Sequence, residues 1–230
     1  MTPEELKLRT LGDESTKAVH RWAGECTIPM IDIGDDTCPI GSGVLVRISS
    51  RLFVATAAHC IPPDPNRRLW LMTNRPRRAE DGMLSFINFG RDVGLDVGFL
   101  ELQLDEAEKY FESKRHLPLC SIRPAGPDRF DHLVSVVGFP AQRVDRSQQY
   151  LGTPSWVAHL DAYSTHLLPP DKWCTPDSSE YSATSEANIT LDYPESVRYE
   201  ALKMTDLAYR PEGYSGGGVW DHGHPAGLDS

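Results

Sequence analysis

Leu52-Phe53-Val54-Ala55-Thr56-Ala57-Ala58-His59-Cys60 is the stretch on which the reading of the chain turns. Leu52 to Ala55 form an apolar run with strand character, and Thr56, Ala57 and Ala58 place small side chains directly before a histidine. Small neighbours leave an imidazole room to lie against backbone and to face a cleft. A lone histidine at a strand end is ordinarily a satisfied core residue, so His59 gains meaning only from partners elsewhere in the chain.

Around this stretch the sequence is a series of short apolar runs cut by turns. Thr27 to Ile33, Gly43 to Ile48, Leu52 to Ala57, Leu69 to Thr73, Leu84 to Phe89 and Val97 to Leu102 are six such runs, with Gly34-Asp35-Asp36 as a turn after the first. That spacing predicts a small antiparallel barrel or sandwich over residues 24–103. Residues 1–23 read as an N-terminal arm of short helices, since Glu14 to Trp22 hold no Gly or Pro. Asp105 is placed to cap a helix through Arg115, with Leu104, Ala107, Tyr110, Phe111 and Lys114 on one face; residues 104–117 thus connect two β units. A second β series occupies 118–230: Leu117 to Ser121, Leu133 to Phe139, Gln149 to His159, Ile189 to Asp192, Arg198 to Thr205 and Gly217 to Trp220. Residues 161–188, rich in Ser, Thr, Asp and Pro, read as a long surface excursion.

Bulk properties exclude several classes of function. The 230 residues suffice to bury a core without staples, and 33 acidic against 23 basic residues give a net charge of −10. An acidic body has no electrostatic reason to seek nucleic acid or an anionic membrane. The apolar runs fall short of the ~18 to 20 residues of a membrane span, and Met1 to Lys7 lacks a signal-like pattern. Cys26, Cys38, Cys60, Cys120 and Cys174 are odd in number and widely spaced, which argues against a disulfide framework or a C-x-x-C zinc site. The expectation is a cytoplasmic protein with reduced thiols. Asn188-Ile189-Thr190 matches a glycosylation acceptor only as short patterns do by chance.

Two further segments supply partners for His59. Gly213-Tyr214-Ser215-Gly216-Gly217-Gly218 sets a serine among glycines, where a tight turn aims consecutive N–H groups into one concavity, as an oxyanion requires. Asp96 opens Val97-Gly98-Phe99-Leu100-Glu101-Leu102, a position where a carboxylate needs a partner. In this order, His59, Asp96 and Ser215 resemble the triad of chymotrypsin-like (trypsin-fold) serine peptidases, most of all the bacterial members. Supporting marks are Gly41-Ser42-Gly43-Val44-Leu45-Val46 and Val136-Val137-Gly138-Phe139-Pro140, so the resemblance spans roughly residues 24–220.

The resemblance implies an all-β protein of two antiparallel six-stranded barrels with the triad between them. It also implies that Ser215 is the nucleophile, that His59 is the general base and Asp96 its orienting acid, and that the N–H groups of Gly213 and Ser215 form the oxyanion hole. Protein or peptide substrates follow, with neither metal nor organic cofactor. A nucleophile elbow of the α/β-hydrolase kind is set aside, because there the acid and histidine follow the serine, and the glycines after Ser215 do not suit a helix.

Several positions depart from the digestive enzymes of that family. Tyr214 stands where they carry the aspartate that pairs with a newly cut N-terminus, so activation by such cleavage is not expected. Tyr209 stands at the position of the pocket aspartate, with Asp206 three residues further off, so preference for Arg or Lys is not supported. Cys38 is the nearest candidate to bridge to Cys60, though two buried thiols are the favoured reading. Asp92 competes with Asp96 for the triad, and the apolar strand that follows Asp96 favours the latter. The chain ends at Ser230, soon after the serine, so the second barrel is expected to be truncated and a further domain or partner to complete it. A catalytically silent peptide-binding module and an esterase on the same fold are the alternatives to a serine endopeptidase. Arg67, Arg68, Arg75, Arg77 and Arg78 read as a solvated basic face, His222 and His224 as a polar hairpin tip rather than an H-x-H metal site, and Trp70, Trp156, Trp173 and Trp220 as packing residues.

Overall fold

A computed structural model of the chain describes residues 3–34, 38–72, 84–122, 133–141, 144–145, 149–150, 153–154, 157–168, 190–191, 196–199, 204–207 and 216–222. It opens with one helix, α1 (Pro3–Cys26), rather than a set of short ones. An internal glycine such as Gly12 costs a helix only about 1 kcal/mol, and tertiary contacts at the far end offset that. Ala23 and Cys26 are fully buried, Thr27 Oγ1 donates to Ala23 O at 2.8 Å, and Lys114 Nζ donates to Gly24 O at 2.9 Å. Carbonyls that would be orphaned at the helix end thereby find donors.

The first β unit comprises β1 (Thr27–Asp32), β2 (Cys38–Ile48), β3 (Arg51–Thr56), a short helix α2 (Pro65–Arg68), β4 (Leu69–Leu71), β5 (Phe86–Asp92) and β6 (Val97–Leu102). Its strands hydrogen-bond in the order β4-β1-β2-β3-β6-β5. Along β3 the alternation of the sequence is realised: Leu52, Val54 and Thr56 point inward and the residues between them are more exposed. Ile28, Met30, Leu45, Leu52, Val54, Leu69, Leu71, Leu100 and Leu102 fill the interior. Glu101, a buried acid on β6, is matched by a two-pronged contact from Arg51 at 2.6 and 2.5 Å.

Next come α3 (Leu104–Tyr110) and β7 (Leu117–Pro118), which pairs parallel with β2. Helix α3 is shorter than expected, and Asp105 does not cap it: Gln103 holds the N-cap position, without a side-chain bond. Its buried face is the expected one, with Ala107, Tyr110 and Phe111 against the first core. Tyr110 donates to Leu71 O at 2.6 Å and accepts from Trp70 Nε1 at 3.1 Å. The expected strand to Ser121 stops at Pro118, and Leu119–Ser121 turn as 3-10 helix.

The second unit contains β8 (Leu133–Gly138), β9 (Val144–Asp145), β10 (Gln149–Tyr150), β11 (Thr153–Pro154), β12 (Val157–Ala158), β13 (Asp161–Leu168), β14 (Thr190–Leu191), β15 (Ser196–Tyr199), β16 (Met204–Leu207) and β17 (Gly218–Asp221). Its main sheet runs β14-β13-β8-β17, and among the described residues its two edges are not joined. The all-β class and the truncated second barrel stand: the first sheet has seven strands, and the second is smaller and open among the described residues. Three local expectations are corrected. Residues 161–168 form β13, paired with β8 over six positions, so the polar excursion does not begin there. Gln149 to His159 is not one strand but parts of three, and of Arg198 to Thr205 the described residues belong to two paired strands, 198–199 to β15 and 204–205 to β16. Polar composition misled at β13 because a half-exposed strand needs apolar side chains on one face only.

A second apolar cluster joins the two sheets: Ala23 and Cys26 of α1, Val44 and Val46 of β2, Leu117 of β7, Val137 of β8 and Trp220 of β17. A polar tie reinforces it. Thr56 Oγ1 donates to Ser42 O at 2.7 Å, and Ser42 Oγ accepts from Phe139 N–H at 2.8 Å.

Candidate active site

His59 lies in the 3-10 turn Ala58–Cys60 that follows β3. Ala58 and Cys60 on either side are buried, whereas the His59 side chain is 48% exposed. Gly98 on β6 lets this turn approach the sheet, because a β-carbon there would meet Ile61 Cδ1 at 2.6 Å and Ala58 Cα at 3.4 Å. The small residues ahead of the histidine thus serve as the sequence suggests: they bury, and the imidazole is pushed outward.

Asp96 reaches His59 from the turn between β5 and β6. Its Oδ2 lies 2.8 Å and its Oδ1 3.0 Å from His59 Nδ1, and Oδ1 also accepts the His59 backbone N–H at 3.1 Å. The residue occupies the left-handed region, φ 51°, where aspartate is tolerated better than most residues but still at some strain. Asp92 does a different job: its Oδ1 accepts the Leu95 N–H at 3.0 Å and closes the same turn. With a carboxylate at Nδ1, a neutral imidazole carries its proton there and presents the Nε2 lone pair outward. That is the form a general base requires.

Cys60 is not a second nucleophile. Its thiol donates to Ile40 O at 3.1 Å, and burial pushes it up to about 12. Cys38 and Cys60 are thiols rather than a disulfide, as the favoured reading has it; Cys60 is buried and Cys38 exposed.

Ser215 and Gly213 lie outside the described residues, as do Tyr214, Tyr209, Arg75, Arg77, Arg78, Trp156, Trp173, His224 and Cys174. The described chain resumes at Gly216, which has φ 76°. A β-carbon on Gly216 would overlap Ser42 O and Thr56 Oγ1 and press on Ala57 N at 2.9 Å. The residue after Ser215 is therefore packed onto the end of β3, where His59 begins its turn. A cleft of about 710 Å³ opens beside this point, lined by Asp96, Thr56, Ala57, Gly216–Gly218, Trp22, Trp220 and His222 among others.

Two features of this region were not legible in the sequence. Trp22 of α1 stands edge-on to Trp220 with ring centres 5.2 Å apart and forms a wall of the cleft. His222 is no hairpin tip, since its Nε2 lies 2.7 Å from the fully buried Ser135 Oγ. Trp70 and Trp220 are packing residues, as expected. Arg68 is not merely solvated, because it grips Asp32 at 2.5 and 3.0 Å. Among the described residues no group of three or more metal-ligating side chains is gathered, and no helix is long and apolar enough to cross a membrane.

Residues 41–225 match the model of a family described as trypsin-like peptidase domain. No curated protein sequence matches the chain significantly. Among solved structures it is similar to neuropsin, a serine protease expressed in the limbic system of mouse brain, with 14% identity over 88% of this chain and 79% of that one and a TM-score of 0.50. It is also similar to Rv3671c from M. tuberculosis in its inactive form, with 15% identity over 90% of this chain and 76% of that one and a TM-score of 0.47.

Proposed function

Because the chain belongs to the trypsin-like peptidase domain family, we propose that it is a serine endopeptidase whose triad is His59, Asp96 and Ser215, with the N–H groups of Gly213 and Ser215 as oxyanion hole. The observation that carries this reading is the contact of both Asp96 carboxylate oxygens with His59 Nδ1 at 2.8 and 3.0 Å, on an imidazole otherwise open to solvent. The position of Gly216 against Thr56 and Ala57 supports it, since Ser215 is covalently the next residue toward the N-terminus.

In the reaction proposed, Ser215 Oγ attacks the scissile carbonyl carbon while His59 Nε2 takes its proton. The new C–O bond forms as the carbonyl electron pair moves onto oxygen, where two backbone N–H groups receive it, each typically worth about 3 kcal/mol of barrier. Asp96 holds the ring in the tautomer that can accept the proton and stabilises the imidazolium. As the tetrahedral species collapses, the C–N bond breaks and the amine leaves with the proton from His59. Water then repeats the sequence on the acyl-enzyme, releasing acid and restoring Ser215. Protein or peptide segments are the substrates, and the steps draw on side chains and backbone N–H groups of this chain alone.

Labelling with a fluorophosphonate probe, read by intact mass, tests the proposal. One addition is expected on the wild-type chain, absent in Ser215→Ala and strongly reduced in His59→Ala. A folded wild-type chain that takes up no probe overturns it.

A further inference from the structure

One buried hydroxyl joins helix α1 to strands of the second unit. Ser135 Oγ on β8 lies 2.9 Å from His20 Nε2 on α1, 2.7 Å from His222 Nε2 just after β17, and 2.7 Å from Ser164 Oγ on β13. A serine hydroxyl has one proton and two lone pairs, so three partners use its full capacity. Ser135 itself has no exposed surface. The hub thus holds the helix, the central strand and the strand that continues from Gly216 at one point.

We infer that Ser135, His20 and His222 form a clasp that positions β17, and with it the segment following Ser215, against α1, and that the clasp opens when its imidazoles are protonated. Two imidazoles that share one hydroxyl are held close together, and two like charges at such range in a half-buried site repel. Burial holds the His20 ring below the ordinary histidine value of 6.5, His222 pushes it the same way, and among the described residues Asp161, at the start of β13, opposes them. From β8 the residues beside the hub are the neutral Val134 and Val136. Protonation is therefore resisted in the closed form and favours the open one.

Opening reaches the cleft by a short path. Trp22 lies two residues after His20 on α1 and meets Trp220 edge-on, and Trp22, Trp220 and His222 line the cleft together with Gly216–Gly218. The conformational event stands on the hub geometry alone. Its effect on catalysis rests on the triad reading given above.

Near-ultraviolet circular dichroism of the full chain, followed from pH 8 to pH 4.5 beside the rate of fluorophosphonate labelling, tests the clasp in wild type, His20→Gln and Ser135→Ala. Wild type is expected to show a reversible change in its tryptophan signal with a midpoint below pH 6.5, and a labelling rate that falls more steeply than one proton allows. His20→Gln keeps the neutral-pH signal throughout, and its labelling falls with a single-proton slope. Ser135→Ala shows the acid-type signal already at pH 8. The inference is overturned if wild type shows no transition, if His20→Gln retains it unchanged, or if Ser135→Ala keeps the neutral-pH signal. A wild-type transition that His20→Gln abolishes, in a chain that never takes up probe, supports the clasp and overturns the triad reading instead.

Discussion

Gly216 and Thr56 are packed so closely that a β-carbon on the glycine would overlap the threonine hydroxyl, which itself donates to Ser42 O. The contact joins the loop of the second unit to the strand that delivers His59, and it exists only because residue 216 has no side chain. With φ at 76°, the backbone there is also one that L side chains adopt at a cost.

Gly216→Ala is therefore expected to fail on two grounds, steric and conformational. A loss of about 1 to 3 kcal/mol in unfolding free energy is expected, from overpacking and positive φ together. Probe labelling should fall at least a hundredfold, because the segment next to Ser215 must shift. Urea unfolding and labelling rates measured side by side check both, and an unchanged labelling rate contradicts the role given to this contact.

Asp96→Asn and Asp92→Asn separate two acids four residues apart. An amide at position 96 no longer fixes the proton on His59 Nδ1, and a fall of about 10³ to 10⁴ in acylation rate is expected with the fold retained. Asp92 only closes the turn through the Leu95 N–H, so its variant should cost less than about tenfold. Labelling kinetics at pH 8 distinguish them, and equal losses refute the assignment.

Alkaline pH tests the buried thiols. Burial raises Cys60 from its ordinary 9.0 to about 12 and Cys26 to about 11. Above pH 9 the unfolded chain releases these protons while the folded chain keeps them, so stability falls as pH rises from 9 toward 11 and 12. Unfolding free energy measured under reducing conditions from pH 8 to 11 should decline less steeply in Cys60→Ala than in wild type. Parallel slopes count against a buried, protonated Cys60.

Lys114 acts in the opposite sense. Burial brings its ammonium down from 10.5 to about 8, although it donates to Gly24 O and Thr27 O and lies 5.9 Å from the Phe139 ring centre. Between pH 8 and 10.5 the unfolded chain holds the proton and the folded chain does not, so this group adds stability as pH rises through that window. Relative to Lys114→Met, wild type should gain a few kcal/mol there, on the order of 1.4 kcal/mol for each pH unit crossed. Paired denaturant titrations at pH 7.5 and 10 measure it, and a constant difference refutes it.

Much of this protein was legible in one dimension. Alternation along Leu52 to Thr56, the small residues before His59 and the turn before Val97 are local patterns, and local patterns set strand identity and burial of side chains. They also named His59 and Asp96, which the fold brings together across 37 residues. Where the reading failed, the deciding contacts were distant. Strand β13 looked like a polar excursion because its pairing with β8 supplies the order that its composition does not.

Sequence alone thus determined the class of fold, the alternation along β3 and the residue types of the candidate site, since these follow from periodicity and from what each side chain can do chemically. Tertiary structure decided how both Asp96 oxygens meet His59 Nδ1, why residue 216 must be glycine, and that His20 and His222 share Ser135 across 115 and 87 residues. No neighbouring residue encodes such meetings. They arise where sheets and helix pack, and there a buried polar atom must find its partner in space rather than along the chain.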